Sequence, residues 1–112
     1  MYIKNRTKGT RVADQVRLAD TFWQRLKGLL GTKLLPLGHG LIIKPCSSVH
    51  TFGMGYPIDV LFVDGNHCIV KIVDNMFPSK MSMATRSQYV VELPAGTARK
   101  TECSIGDILA FQ

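Results

Sequence analysis

The sequence predicts a small, mainly β domain: a β sandwich or jelly-roll-like, partly open barrel with one short amphipathic helix near the N-terminus. Three observations carry this expectation. Short β-branched runs recur along the chain, Gly, Pro and Asp-Gly turn signals separate them, and only one dominant stretch shows helical spacing. With 112 residues, 46% hydrophobic and 20% charged, the chain suits a single domain over 1–112, with 1–10 read as a flexible arm.

In chain order, Val16 and Leu18 alternate with polar Gln15, Arg17 and Asp20, the pattern of a strand with one wet face. Thr21-Phe22-Trp23-Gln24 fits a capping box, in which a Thr hydroxyl and a Gln side chain satisfy orphan helix amides reciprocally. Phe22, Leu26, Leu29 and Leu30 follow at helical spacing, and Gly31 supplies a stop. Leu26 and Leu29 are therefore expected to be buried. Gly28 inside this stretch weakens a helix and points to close packing. From Gly38 the pattern turns to β, with a short strand over 40–44 ended by Pro45. Residues 58–63 and 68–73 are β-branched arms of an expected hairpin, since Asp64-Gly65 offers the positive backbone angle of a tight turn. A further strand over 88–93, a helical turn within 97–103 and a last strand over 108–111 complete the reading.

The net charge of +6 is uneven: residues 1–33 hold eight Lys and Arg against two Asp, and the rest balances. Such an end can meet an acidic partner, but more often it is a solvated face. No basic strand interleaved with aromatics accompanies it, so nucleic acid is not the expected partner. The basic residues before Arg11 precede no apolar stretch, and no apolar run is long enough to span a bilayer, so a cytoplasmic address and a monomer are expected. Cys46, Cys68 and Cys103 are odd in number and form no C-x-x-C pair, which argues against a zinc ribbon or a thioredoxin-like motif.

The segment from Lys44 to Met54, followed by Asp59, gathers the types that carry chemistry. A nucleophile reading lets His50 take the proton of Cys46 while Asp59 orients the imidazole. A zinc reading on Cys46 and His50 suffers because Pro45 opposes helix, and on a strand the two would lie roughly 13 Å apart. A structural reading gives Cys46 a gap to fill, His50 and Thr51 buried hydrogen bonds, and Asp59 backbone amides in a turn. Phosphate-loop, dinucleotide and metalloprotease motifs are absent, and Glu92 and Asp107 are too isolated to be proposed as a paired acid and base.

Several stretches together resemble one family: Arg25 to Gly31, Cys46 to Met54, Pro57 to Asp64, Val91 to Gly96, and Gly106-Asp107. They are similar to the bacterial and archaeal domain of unknown function 192 family, also called uncharacterised protein family UPF 0127. The resemblance runs from about Val16 to the end and implies a compact, mostly β fold with no assigned activity. Relatives often carry Arg or Lys just after the Met of the loop, where this chain has Gly55 and Tyr56.

The function expected from all this is non-enzymatic binding of a small molecule or protein near 46–59. Arg25, Cys46, His50, Thr51, Met54 and Asp59 are the candidate ligand-binding residues, with no catalytic residue, cofactor or metal assigned. The alternatives are a Cys/His-dependent hydrolase, and binding of nucleic acid or an anionic surface through the basic N-terminal third.

Overall fold

The computed structural model describes residues 1–29 and 32–112, leaving the side chains of Phe22, Trp23 and Leu26 outside the description. Among the described residues the strands form three open sheets, and no closed barrel. The central sheet has five strands in the order β3-β4-β9-β6-β7: β3 (Gln15–Ala19), β4 (His39–Ile43), β9 (Tyr89–Pro94), β6 (Ile58–Val63) and β7 (Ile69–Met76). A three-stranded sheet is built from β10 (Leu109–Phe111), β1 (Ile3–Asn5) and β2 (Thr10–Ala13). The third is a ribbon of β5 (Ser48–His50) and β8 (Met81–Met83).

Strands β6 and β9 are buried along their whole length, as expected for central strands covered on both faces. Side-chain alternation assigns the two faces. Leu61, Val63, Val91 and Leu93 point to a core shared with Ile3, Val12 and Leu109 of the three-stranded sheet. Ile58, Val60, Phe62 and Val90 point the other way, towards Leu29 and Val49. Residues 3–5, expected in a flexible arm, are thus part of the core, and Ile3 and Asn5 are wholly buried.

Among the described residues, helix occurs in two short segments rather than one, and the second lies near the C-terminus: α1 (Phe22–Lys27) and α2 (Thr97–Lys100). The capping box at Thr21 is present, with Gln24 N donating to Thr21 Oγ1 at 3.2 Å. The helix closes at Gly28, whose φ of 51° requires glycine, so backbone conformation and not close packing explains that residue. Leu29 is buried as expected, whereas the side chain of Leu26, and Leu30 and Gly31 altogether, lie outside the described residues. Strands β3 and β4 pair in parallel, and parallel neighbours need a crossover. The segment through α1 is that crossover, and it carries Leu29 onto one face of the central sheet. On β3 itself only half the expected apolar face is covered: Val16 is half-buried and Leu18 is exposed, because this is an edge strand.

The hairpin forms, with Val63 opposite Ile69. Its turn differs from the expected tight Asp-Gly form. Residues 64–67 make a turn closed by His67 N donating to Asp64 O, and the positive φ of 64° falls on His67 rather than on Gly65. Asp64 Oδ1 accepts from the amides of Asn66 and Cys68 at 2.9 and 3.0 Å. A carboxylate bonding forward to its own backbone favours the longer turn with a left-handed last residue.

Candidate functional site

The cavity of interest has a volume of about 270 Å³ and opens between the end of α1 and the chain that follows β4. Its position follows from the two elements above. The crossover brings Arg25, Lys27 and Gly28 over the sheet, and the chain leaving Ile43 turns at Pro45 to place Cys46 opposite them. Cys46 is held by its backbone, its N–H donating to Gln88 O at 3.0 Å and its carbonyl accepting from Ser87 Oγ at 2.9 Å. From there β5 pairs with β8 and carries His50 to the rim.

Four of the six candidate residues line this one cavity: Arg25, Cys46, His50 and Met54. Thr51 and Asp59 do not. Thr51 is wholly buried, donates to Phe77 O at 2.7 Å and accepts from Lys80 N at 2.9 Å, tying loop 77–80 to the turn that carries Met54. Asp59 lies on the opposite face of β6, where its two oxygens accept from Asn75 N and Ala98 N, both at 2.8 Å. Pairing with His50 is therefore not its role. It caps the start of α2 and holds β7, because alternation along β6 sends residue 59 away from the cavity.

Cys46 Sγ donates to Ser48 O at 3.1 Å. Burial pushes the thiol above its ordinary range against the backbone hydrogen bond at Ser48; negative charge on Glu92 adds to the rise and Arg25 opposes it. His50 is exposed and stacks on Phe52 with ring centroids 5.4 Å apart. No hydrogen bond joins His50 to Cys46 among the described residues, and no group of three or more His, Cys, Asp or Glu there could hold a metal ion.

Glu92, set aside on sequence as isolated, forms the floor of the cavity. It is only 4% exposed, and its strand neighbours in register, Leu41 on β4 and Val60 on β6, are buried and apolar. None of the described residues donates a hydrogen bond to its carboxyl or forms an ion pair with it. Burial pushes the acid up to about 7. Among the described residues, the cavity that Glu92 lines is where a partner can reach this carboxyl. The available signal in the sequence was a single acid inside the apolar run Tyr89 to Leu93.

A family model for DUF192, described as uncharacterized ACR, COG1430, matches residues 3–111. The chain belongs to the DUF192 family. Among DUF192 relatives, it is similar to a UPF0127 protein of Thermococcus kodakarensis, at 32% identity over 97% of this chain and 72% of that one. A UPF0127 protein of Pyrococcus furiosus is also 32% identical, over 96% of this chain and 95% of that one. A crystal structure of a protein of unknown function from Novosphingobium aromaticivorans shares the fold. Its TM-score is 0.84 at 23% identity, over 98% of this chain and 82% of that one. A candidate transcription regulator from Sinorhizobium meliloti gives a TM-score of 0.83 at 26% identity, over 97% and 89% of the two chains. Among the described residues of this DUF192 chain, no helix is long and apolar enough to cross a membrane.

Proposed function

We propose that this DUF192 domain binds a small polar ligand in the cavity between α1 and β5 and does not transform it. The observation that carries the reading is Glu92: a buried carboxyl without a described partner, facing a cavity that also presents Arg25, Cys46 and His50. A few convergent polar groups set among apolar ones are what small-molecule sites use to orient a ligand. The hydrolase reading is less well supported, because a nucleophilic thiol needs a depressed pKa and Cys46 is raised. The nucleic-acid reading loses two of its eight N-terminal cations to ion pairs, Lys8 to Asp107 and Arg11 to Asp14.

The test is an amide-resonance screen of the intact chain against a library of small polar metabolites. Binders should shift Cys46, Ser48, Val49, His50 and Glu92 together and be recovered chemically unchanged. A library whose hits shift only residues elsewhere, or are recovered as products, would overturn the reading.

A further inference from the structure

A carboxyl group and two cations face the same cavity without touching. Glu92 sits at its floor, walled by Leu41 and Val60, while Arg25 and Lys27 stand at its mouth. Arg25 is half-buried, and the one hydrogen bond described for its guanidinium is Nη1 to Asp20 O at 3.3 Å, at the long end for such a bond. No ion pair joins Arg25 or Lys27 to Glu92 among the described residues. The cavity is therefore bipolar, with an acid inside and cations outside.

A ligand complementary to that arrangement carries a hydrogen-bond-donating cation at one end and an anion at the other. From the geometry we infer that the cavity takes a small zwitterion, an aliphatic amino acid whose ammonium group meets Glu92 and whose carboxylate meets Arg25 and Lys27. This rests on the binding reading above and names the ligand class. An anion alone would satisfy the mouth but leave the Glu92 carboxyl facing apolar walls. A neutral polyol could donate to Glu92 but would leave the guanidinium unused. Charge-assisted bonds at both ends answer both groups, and a site of about 270 Å³ is below the size usual for drug-like ligands. Glu92 holds a proton to about pH 7 when alone, and an ammonium beside it favours the ionised form. Binding at mildly acid pH is thus coupled to proton release from Glu92, and the other titratable groups facing the cavity are Cys46, His50, Arg25 and Lys27.

The probes are L-alanine, β-alanine, 4-aminobutyrate and 6-aminohexanoate, which step the distance between the two charges. Propionate, isopropylamine and glycerol are the one-charge and neutral controls. Amide resonances locate binding, and calorimetry at pH 6 in two buffers of different ionisation enthalpy counts protons. At least one zwitterion should shift Cys46, His50 and Glu92, and bind about tenfold or more tightly than each control. Glu92→Gln, which keeps the shape, should weaken it by about tenfold and abolish the proton release; Arg25→Ala should weaken it with proton release intact. Equal binding of propionate, or unchanged binding to Glu92→Gln, would overturn the inference. Glycerol shifting the cavity resonances while no zwitterion does would overturn the ligand class and leave the binding reading standing. Silence of every probe here together with a metabolite screen that never touches the cavity would remove both.

Discussion

Around Cys46, chemistry is decided by what the sulfur touches. The site is half-buried, and burial, with the charge of Glu92 adding to it, raises the pKa against the backbone hydrogen bond at Ser48 and the charge of Arg25. With Cys68 and Cys103 replaced by Ala, iodoacetamide labelling of Cys46 across pH should show a midpoint above that of a free cysteine measured alongside. A midpoint below neutral pH that disappears in His50→Ala would show a thiolate–imidazole pair and restore the hydrolase reading. The residue types at 46–54 were legible in the sequence as a cluster, and four of the six candidates do share a cavity. Asp59 is close to the cluster in sequence, but alternation along β6 turns it to the other face, where backbone amides occupy both oxygens. Glu92 is the converse case. It is remote in sequence, and only the pairing of β9 with β4 and β6 brings it under α1.

Elements were easier to read than their partners. Capping chemistry at Thr21 and the β-branched arms of the hairpin are local properties, and both appear in the structure. The parallel pairing of β3 with β4 is not local. It depends on a crossover whose ends are about twenty residues apart, and nothing in either strand's alternation distinguishes parallel from antiparallel neighbours. That crossover is what forms one wall of the cavity. Leu29, just beyond α1, is its described anchor, 3% exposed and packed among Ile43, Val49, Val90 and their neighbours. Leu29→Ala should cost about 2–5 kcal/mol of unfolding free energy in urea titration, the range for a buried leucine whose site cannot fully collapse. A loss under about 0.5 kcal/mol would mean that the crossover contributes no core packing there. Because Arg25 and Lys27 sit on the same segment, the variant should also weaken any ligand held at the cavity mouth.

Across the whole molecule, two buried carboxyls pull stability in opposite directions with pH. Asp107 ties the chain ends together, accepting from Asn5 Nδ2 at 2.8 Å, Lys8 Nζ at 2.9 Å and Ser104 N at 3.0 Å. Burial alone would raise it, but these bonds and the Lys8 charge outweigh burial and lower its pKa. The native state therefore binds that proton less readily than the unfolded chain, so its stabilisation is present above the ordinary aspartate range and is lost as pH falls below it. Glu92 has the reverse sign. Its native value of about 7 exceeds the ordinary 4.5, so the native state binds this proton more readily. Its favourable contribution is complete below about 4.5 and is lost as pH rises through about 7, a fall of about 3 kcal/mol. These two groups place the stability maximum of the ligand-free protein in mildly acid solution, between about pH 4 and 5. Urea midpoints measured from pH 3 to 9 should decline from that maximum towards neutrality. Glu92→Gln should flatten this decline, while Asp107→Asn should remove the loss on the acid side and lower stability at neutral pH by about 1.5–3 kcal/mol. A wild-type profile that stays level or rises from pH 5 to 8 would mean that Glu92 is already ionised and paired, in which case the cavity has no carboxyl left to offer a ligand.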